Sequence, residues 1–474
     1  MIACRIVCAL TALGLAGCMV GPNYERAPEH MPATYPDQPV AAASASSDTT
    51  LRPDWWMLYG DATLDRLVAT ALNDNVDVAQ AVARIEEADA QLREVNAALF
   101  PEIDLGAVAA RSRSSGAVTT PVPIRLTNDF RLALSTSFEI DFWGRLRRLV
   151  ESARAQALAT HYAKDVVTLS LAGLTTQAYF SLRSLDAQIA ATRETLKTRD
   201  DYYGIVQRRS AAGLASDLDV NQALGVRAEA SAQLKELVRQ RALAEHLLAT
   251  LTGDLTLKIA PGDLAQLPVA PVPPPGMPSL LIERRPDIRL AEQNLIAANA
   301  QIGVAKAALL PKISLTGLLG GESQDLASLV NVGGRIWTIG MALSLPIFTA
   351  GRLNAEVEAT TAREKEAVAT YQKSIQTGFR EVADALTNIE QTTAMQTDLQ
   401  TSVDAATNAL RLATRRYEVG YAPYLDILDA QRTLNVAQLA LIRNRQSLLS
   451  SSVDLMKALG GGWTDPQPLR VGSP

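Results

Sequence analysis

Two long stretches without proline, set 207 residues apart, limit what this chain can become. The first runs from Arg145 to Ala212 and stops at Gly213. The second follows Gly351-Arg352-Leu353, which repeats Gly144-Arg145-Leu146, and runs to Val419 before stopping at Gly420. At 1.5 Å per residue each stretch predicts a helix of about 100 Å, several times the thickness of an ordinary domain. Glycine at such a stop suits a left-handed C-cap. Around the two stops Gly213, Leu218 and Asp219 recur as Gly420, Leu425 and Asp426, all at the same offset. A turn used twice between paired helices implies an internal duplication, one architecture built twice.

The segments ahead of the long helices change period. Asp61 is a candidate N-cap for a helix carrying Leu64, Leu67, Val68 and Ala71, and a second helix is expected from Val76 to Leu99, stopping before Pro101. Then Ile103, Leu105 and Ala107 alternate with polar or small residues, as do Leu132, Leu134, Thr136, Phe138 and Ile140. In the second half a helix from Pro286 to Leu310 ends at Pro311, and alternation returns at Ile313 to Leu319 and from Ile339 to Ile347. These are four strands with one apolar and one polar face, the pattern of a transmembrane β-barrel with lipid outside and water inside. After each stop a partner helix is expected, from Asp217 to Leu251 with Ser216 or Asp217 as N-cap, and from Tyr424 to Leu459. The latter carries Ile427, Leu434, Leu441, Leu448 and Leu455 at intervals of seven.

The amino terminus sets the compartment. Arg5 precedes an apolar run from Ile6 to Leu15 that is too short to span a bilayer, and Leu15-Ala16-Gly17-Cys18 closes it as a bacterial lipobox does. Residues 1–17 therefore read as a lipoprotein signal peptide and Cys18 as the lipidation site, with Met19 behind it favouring the outer membrane. Of the three cysteines, Cys4 and Cys8 leave with the signal, so disulfides are excluded. Residues 18–60 form a proline-rich arm, 61–252 a first repeat, 253–278 a proline-rich linker, 279–460 a second repeat and 461–474 a tail.

Other classes find little support. The net charge of −5 comes without any basic stripe interleaved with aromatics, which argues against nucleic acid. His30, His161 and His246 have no metal-ligand spacing, and neither a nucleophile elbow nor a phosphate loop occurs, so no enzyme, metal site or cofactor is expected beyond the lipid on Cys18. A periplasmic coiled-coil lipoprotein remains an alternative, although it has no need of four amphipathic strands. Four strands cannot close around a lumen, and open edges are not tolerated in lipid, so closure calls for further copies.

The chain resembles the outer membrane efflux channel family, the TolC-like factors, most of all its lipoprotein branch linked to multidrug pumps. The resemblance rests on Cys18-Met19-Val20-Gly21-Pro22-Asn23-Tyr24, Trp55-Trp56, Glu283-Arg284-Arg285-Pro286-Asp287-Ile288, Leu309-Leu310-Pro311, and Val419-Gly420 with Leu425 to Gln431. It implies a mainly α protomer with a β-barrel portion, a homotrimer of twelve strands, and an α-helical barrel meeting a periplasmic adaptor and an inner-membrane transporter. Drugs or other small molecules would pass through it passively, with ducts for metal ions or proteins as alternatives within the family. It also implies a periplasmic gate at Asp219, Tyr417, Asp426 and Asp429. Ala422 stands where relatives can carry a basic latch, and Arg415 or Arg416 is a candidate replacement. The tips Gly213-Leu214-Ala215-Ser216 and Gly420-Tyr421-Ala422-Pro423 are expected to contact the adaptor.

Overall fold

A computed structural model describes residues 19–26, 32, 35, 52–113, 115, 126–269 and 281–461. The signal segment, Cys18, most of the arm, residues 270–280 of the linker region and the tail from 462 lie outside the described residues. The chain is mainly helical: α1 (Ala62–Asp74), α2 (Val76–Ala97), β1 (Glu102–Arg113), β2 (Leu126–Ile140), α3 (Arg145–Ala211), α4 (Asp217–Thr252), α5 (Pro286–Ala307), β3 (Lys312–Ser323), β4 (Arg335–Ser344), α6 (Arg352–Glu418) and α7 (Tyr424–Ala458). Both α3 and α6 hold 67 residues. Four glycines adopt positive φ where the chain turns out of or into these helices: Gly144 (78°), Gly213 (69°), Gly351 (81°) and Gly420 (78°). An L-side chain resists this region, which is why glycine recurs there.

Two compact units are present. One holds Met1–Pro28, Arg84–Thr160 and Leu290–Gln372; the other holds Glu29–Ala83, His161–Arg289 and Lys373–Pro474. Each draws on both halves of the chain.

The first unit contains the four strands as one antiparallel sheet in the order β1-β2-β3-β4. Ile103 lies opposite Thr136, Leu105 opposite Leu134, Leu134 opposite Leu319, and Leu319 opposite Trp337. Residues directly opposite share a face, so the register gathers the apolar alternation on one side. Glu102, Ser137 and Thr316 fall together on the other. Strand β4 stops at Ser344, short of the expected Leu345 and Ile347. Pro346 has no N–H to give a ladder, which ends the pairing there.

The same unit shows that residues 19–26 are a docked strap. The Val20 N–H donates to the Trp143 carbonyl at 3.0 Å. Arg148, 1% exposed, donates to the Val20 and Gly21 carbonyls at 3.3 Å each and to Asn23 Oδ1 at 2.7 Å. Arg26 grips Glu292 with two bonds at 2.7 and 2.9 Å, and Asn299 donates to the Pro22 carbonyl. A buried charge held by several hydrogen bonds fixes geometry far better than an exposed pair.

The second unit packs α1 and the turn Trp55–Tyr59 against the middle of α3 and the C-terminal parts of α4 and α7. Asp61 caps α1, accepting from the backbone of Thr63 and Leu64. Tyr59 and Phe180 meet edge to face with ring centres 4.9 Å apart. Residues 253–269, part of the expected proline-rich linker, bury Ile259, Leu264 and Leu267 in this core. Asp186 holds that segment in place by accepting from Arg183 at 3.2 Å, Arg241 at 2.6 Å and the Gly262 N–H at 3.1 Å.

Candidate functional site

Two places stand out, one in each unit. The sheet presents Ile103 (69% exposed), Trp337 (73%), Ile339 (74%) and Met341 (74%) on one face. Between them lies a shallow apolar groove of about 510 Å³ over Leu134, Leu315 and Leu319. A soluble surface rarely leaves so much contiguous apolar area uncovered, and this face suits hydrocarbon. Among the described residues β1 and β4 are each paired on one side only, so the sheet ends in two open edges. None of the described helices is long and apolar enough to cross a membrane.

The second place is the pair of helix turns. At each, two backbone bonds close a Schellman-type stop: Gly213 N–H to the Ser210 carbonyl and Leu214 N–H to Arg209, then Gly420 N–H to Tyr417 and Tyr421 N–H to Arg416. The α3–α4 and α6–α7 hairpins meet through a cluster of Val206, Ala223, Tyr417, Tyr424, Ile427 and Leu428. The rings of Tyr417 and Tyr424 are 5.7 Å apart, and the Arg209 guanidinium sits 4.8 Å from the Tyr417 ring centre. Tyr202 donates its hydroxyl proton to Thr414 at 3.0 Å. Burial pushes the Tyr424 hydroxyl up to about 12, with the neighbouring Tyr417 and Tyr202 hydroxyls adding to it.

The expected gate residues fall into separate surroundings within the protomer. Tyr417 is buried in the tyrosine cluster. Asp219 forms a capping box with Ser216: its carboxylate accepts from the Ser216 N–H and hydroxyl, and its own N–H donates to the Ser216 hydroxyl. Asp426 and Asp429 lie on the exposed face of α7, and Asp429 accepts from Arg432 at 2.8 Å. Arg415 and Arg416 are exposed, and the arginine that covers Tyr417 is Arg209, which sequence reasoning missed. Its signal was available: Arg208-Arg209 precedes the first turn at the offset that places Arg415-Arg416 before the second. Of the tips, Leu214 (69%) and Tyr421 (81%) are well exposed, Gly213, Ser216, Gly420 and Pro423 are also exposed, and Ala215 and Ala422 are half-buried. Pro423 is the N-cap of α7.

In this cluster and next to it, three buried polar side chains lack full pairing. Arg199, 4% exposed, donates Nη1 to the Val226 carbonyl at 2.6 Å while its Nε has no partner; both amide atoms of Gln431 and the Tyr424 hydroxyl are likewise unpartnered. Burial lowers the Arg199 pKa. Thr195 bonds Asn435, so in these antiparallel helices Arg199 and Gln431 fall at one level.

The described geometry has counterparts. The Outer membrane efflux protein family model matches residues 67–254 and 277–461. Outer membrane protein OprJ of Pseudomonas aeruginosa is 36% identical over 465 residues, covering 98% of this chain and 96% of that protein. The Toluene efflux pump outer membrane protein TtgC of Pseudomonas putida is 36% identical over 468 residues, covering 96% of this chain and 95% of its own. The CmeC outer membrane channel of Campylobacter jejuni superposes with a TM-score of 0.87 at 27% identity, over 95% of this chain and 96% of that one. Matched in both halves and along nearly its whole length, the chain belongs to the outer membrane efflux protein family.

Proposed function

We infer that the chain is the exit duct of a tripartite efflux system, carrying small molecules passively across the outer membrane from a periplasmic adaptor and an inner-membrane pump. The observation that carries this reading is the four-stranded sheet, which among the described residues has an uncovered apolar face and two unpaired edges. Unsatisfied edges are expensive in lipid, and three copies joined β4 to β1 would satisfy all of them in a ring of twelve strands. The equal lengths of α3 and α6 and the matched glycine turns support a duplicated protomer in that ring. Cys18 carries the lipid, and the membrane anchoring is double. Relatives named for toluene export make small apolar solutes the cargo to test first. As a channel family this is no enzyme class, and no cofactor is proposed beyond the lipid.

At the tips, Leu214, Ser216, Tyr421 and Pro423 with Gly213, Ala215, Gly420 and Ala422 form the adaptor-facing surface. In a trimer, Asp426 and Asp429, exposed and three residues apart on one helix face, place six carboxylates around the narrow end. Such a ring favours cations. Tyr417 and Asp219 act one step back, holding the two turns in shape. The test combines unheated gel electrophoresis with planar-bilayer recording. A heat-sensitive trimer of small conductance is expected, and Asp426→Ala with Asp429→Ala reduces cation preference. Protein that runs as a monomer under mild detergent and passes no current refutes the duct.

A further inference from the structure

At their helix-proximal ends the strands enclose a cavity of about 330 Å³ that the duct function does not use. Ile140, Trp143, Leu310 and Pro346 give it an apolar wall, and Glu139, Arg145 and Lys312 stand at it. Glu139 pairs with Arg145 and with Lys312, each at 2.8 Å, and Lys312 is 55% exposed. An ammonium has three donors, so Lys312 keeps two for another acceptor. Trp143 is fixed by donating its indole N–H to the Pro311 carbonyl at 2.8 Å. A ring with an apolar body beside a cationic rim is the chemistry of a membrane interface.

The strap begins at this place. Val20 is bonded to Trp143, and Met19 lies so close over Gly144 that an added Cβ there would meet its Cγ at 2.8 Å. Gly21, at φ +99°, runs against Gly303, where a Cβ on Gly21 would come within 2.5 Å of the Gly303 Cα. Arg148 then takes up the strap carbonyls, so residues 20–23 have no slack. Two residues reach at most about 7 Å, so Cys18 can lie no farther than that from Val20, which is bonded to Trp143.

We propose that this cavity seats the acyl-glyceryl group carried by Cys18, with ester carbonyls accepting from Lys312 and Arg145 and one chain lying along Ile140, Trp143 and Leu310. The anchor then enters the bilayer together with the protomer's own strands, as part of their foot and not as a loose tether. The proposal rests on the lipidation of Cys18 in the reading above, and the experiment separates the two.

Cells expressing the full chain are fed a fatty acid bearing a diazirine, the purified protein is irradiated, and the modified peptides are mapped by mass spectrometry. Acyl adducts are expected on peptides covering residues 139–147 and 307–312. Ala308→Trp fills the cavity from its wall and Trp143→Ala removes its main surface; either lowers those adducts about tenfold while the acyl mass on the amino-terminal peptide is unchanged. Ala308→Trp leaves the Trp143 to Pro311 bond intact, so misfolding of the Trp143 variant does not decide the result. Adducts confined to phospholipid, or to lipid-face strand residues such as Ile103 and Leu105, overturn the seat and leave lipidation standing. An amino-terminal peptide without acyl mass overturns lipidation and the seat with it.

Discussion

Replacing Asp186 by alanine isolates one buried ion network whose job is to hold residues 253–269 on the helices. Asp186 has a side-chain exposure of 3% and accepts three N–H bonds, from Arg183, Arg241 and Gly262. Truncation leaves two guanidinium groups facing each other across the vacated space. Breaking a buried pair in this way costs about 3–5 kcal/mol, because the remaining charge is uncompensated. The lower end applies here. Arg183 keeps the Tyr179 hydroxyl at 2.8 Å and the Ala260 carbonyl at 2.7 Å, and Arg241 keeps the Ile259 carbonyl at 2.7 Å and the Glu245 carboxylate at 3.5 Å. Those two carbonyls belong to the same segment, so the loss is felt locally, together with the Ile259, Leu264 and Leu267 contacts. Native-state hydrogen exchange in detergent reads this opening directly. A local loss of about 3 kcal/mol speeds exchange of the 253–269 amides roughly 100-fold. The tip turns at Gly213 and Gly420 provide the internal control and stay as they were. Acceleration below about threefold would refute the reasoning, since it would mean that the two arginines re-pair or hydrate at negligible cost.

Four further outcomes are expected. Gln431→Leu replaces an amide whose two polar atoms are buried without partners and stabilises the tip by about 1–2 kcal/mol, read as slower exchange in α7. Arg209→Ala removes the cation from the Tyr417 ring and costs about 0.5–1 kcal/mol by the same measurement. Gly21→Val forces a side chain onto the Gly303 backbone in a positive-φ position, so the strap undocks and protease cuts after Arg26 much sooner. Burial raises the Glu245 and Asp61 carboxyls, but their partners outweigh it and both end below the ordinary range: the Ile259 N–H, Lys258 and Arg241 for Glu245, and Tyr179 with the Thr63 and Leu64 N–H groups for Asp61. A lowered folded pKa means stability that is full above the unfolded value and lost as pH falls through the folded one. Thermal stability should therefore fall as pH drops below about 4, and Glu245→Gln should flatten that fall.

The gate illustrates how far local reading reaches. Ser216 was legible as an N-cap, and an acid three residues on, Asp219, is the sequence sign of a capping box. Within the protomer the carboxylate of that aspartate accepts from Ser216, the partner its local sequence names. Conversely, Tyr417 carries nothing in its neighbouring sequence that names Tyr424, Tyr202 or Arg209 as its company, because three helices bring those groups together. Leu345 and Ile347 continue the alternation past the strand, since period alone takes no account of the hydrogen bond that Pro346 cannot make.

By itself the sequence determined the elements: two 67-residue helices without proline, glycine stops where only glycine turns easily, and strands whose alternation fixes an apolar face. All of these depend on residues within a few positions of one another, where dihedral preference and side-chain period act directly. Tertiary structure alone decided that each compact unit draws on both halves of the chain, that residues 253–269 are packed, and that the arm from Met19 to Arg26 is a strap. Arg148 meets the Asn23 side chain across 125 positions and Arg26 meets Glu292 across 266. Such pairings leave no periodic trace in the chain, because the attraction that repays the desolvation of both partners arises only when distant segments have already been folded together.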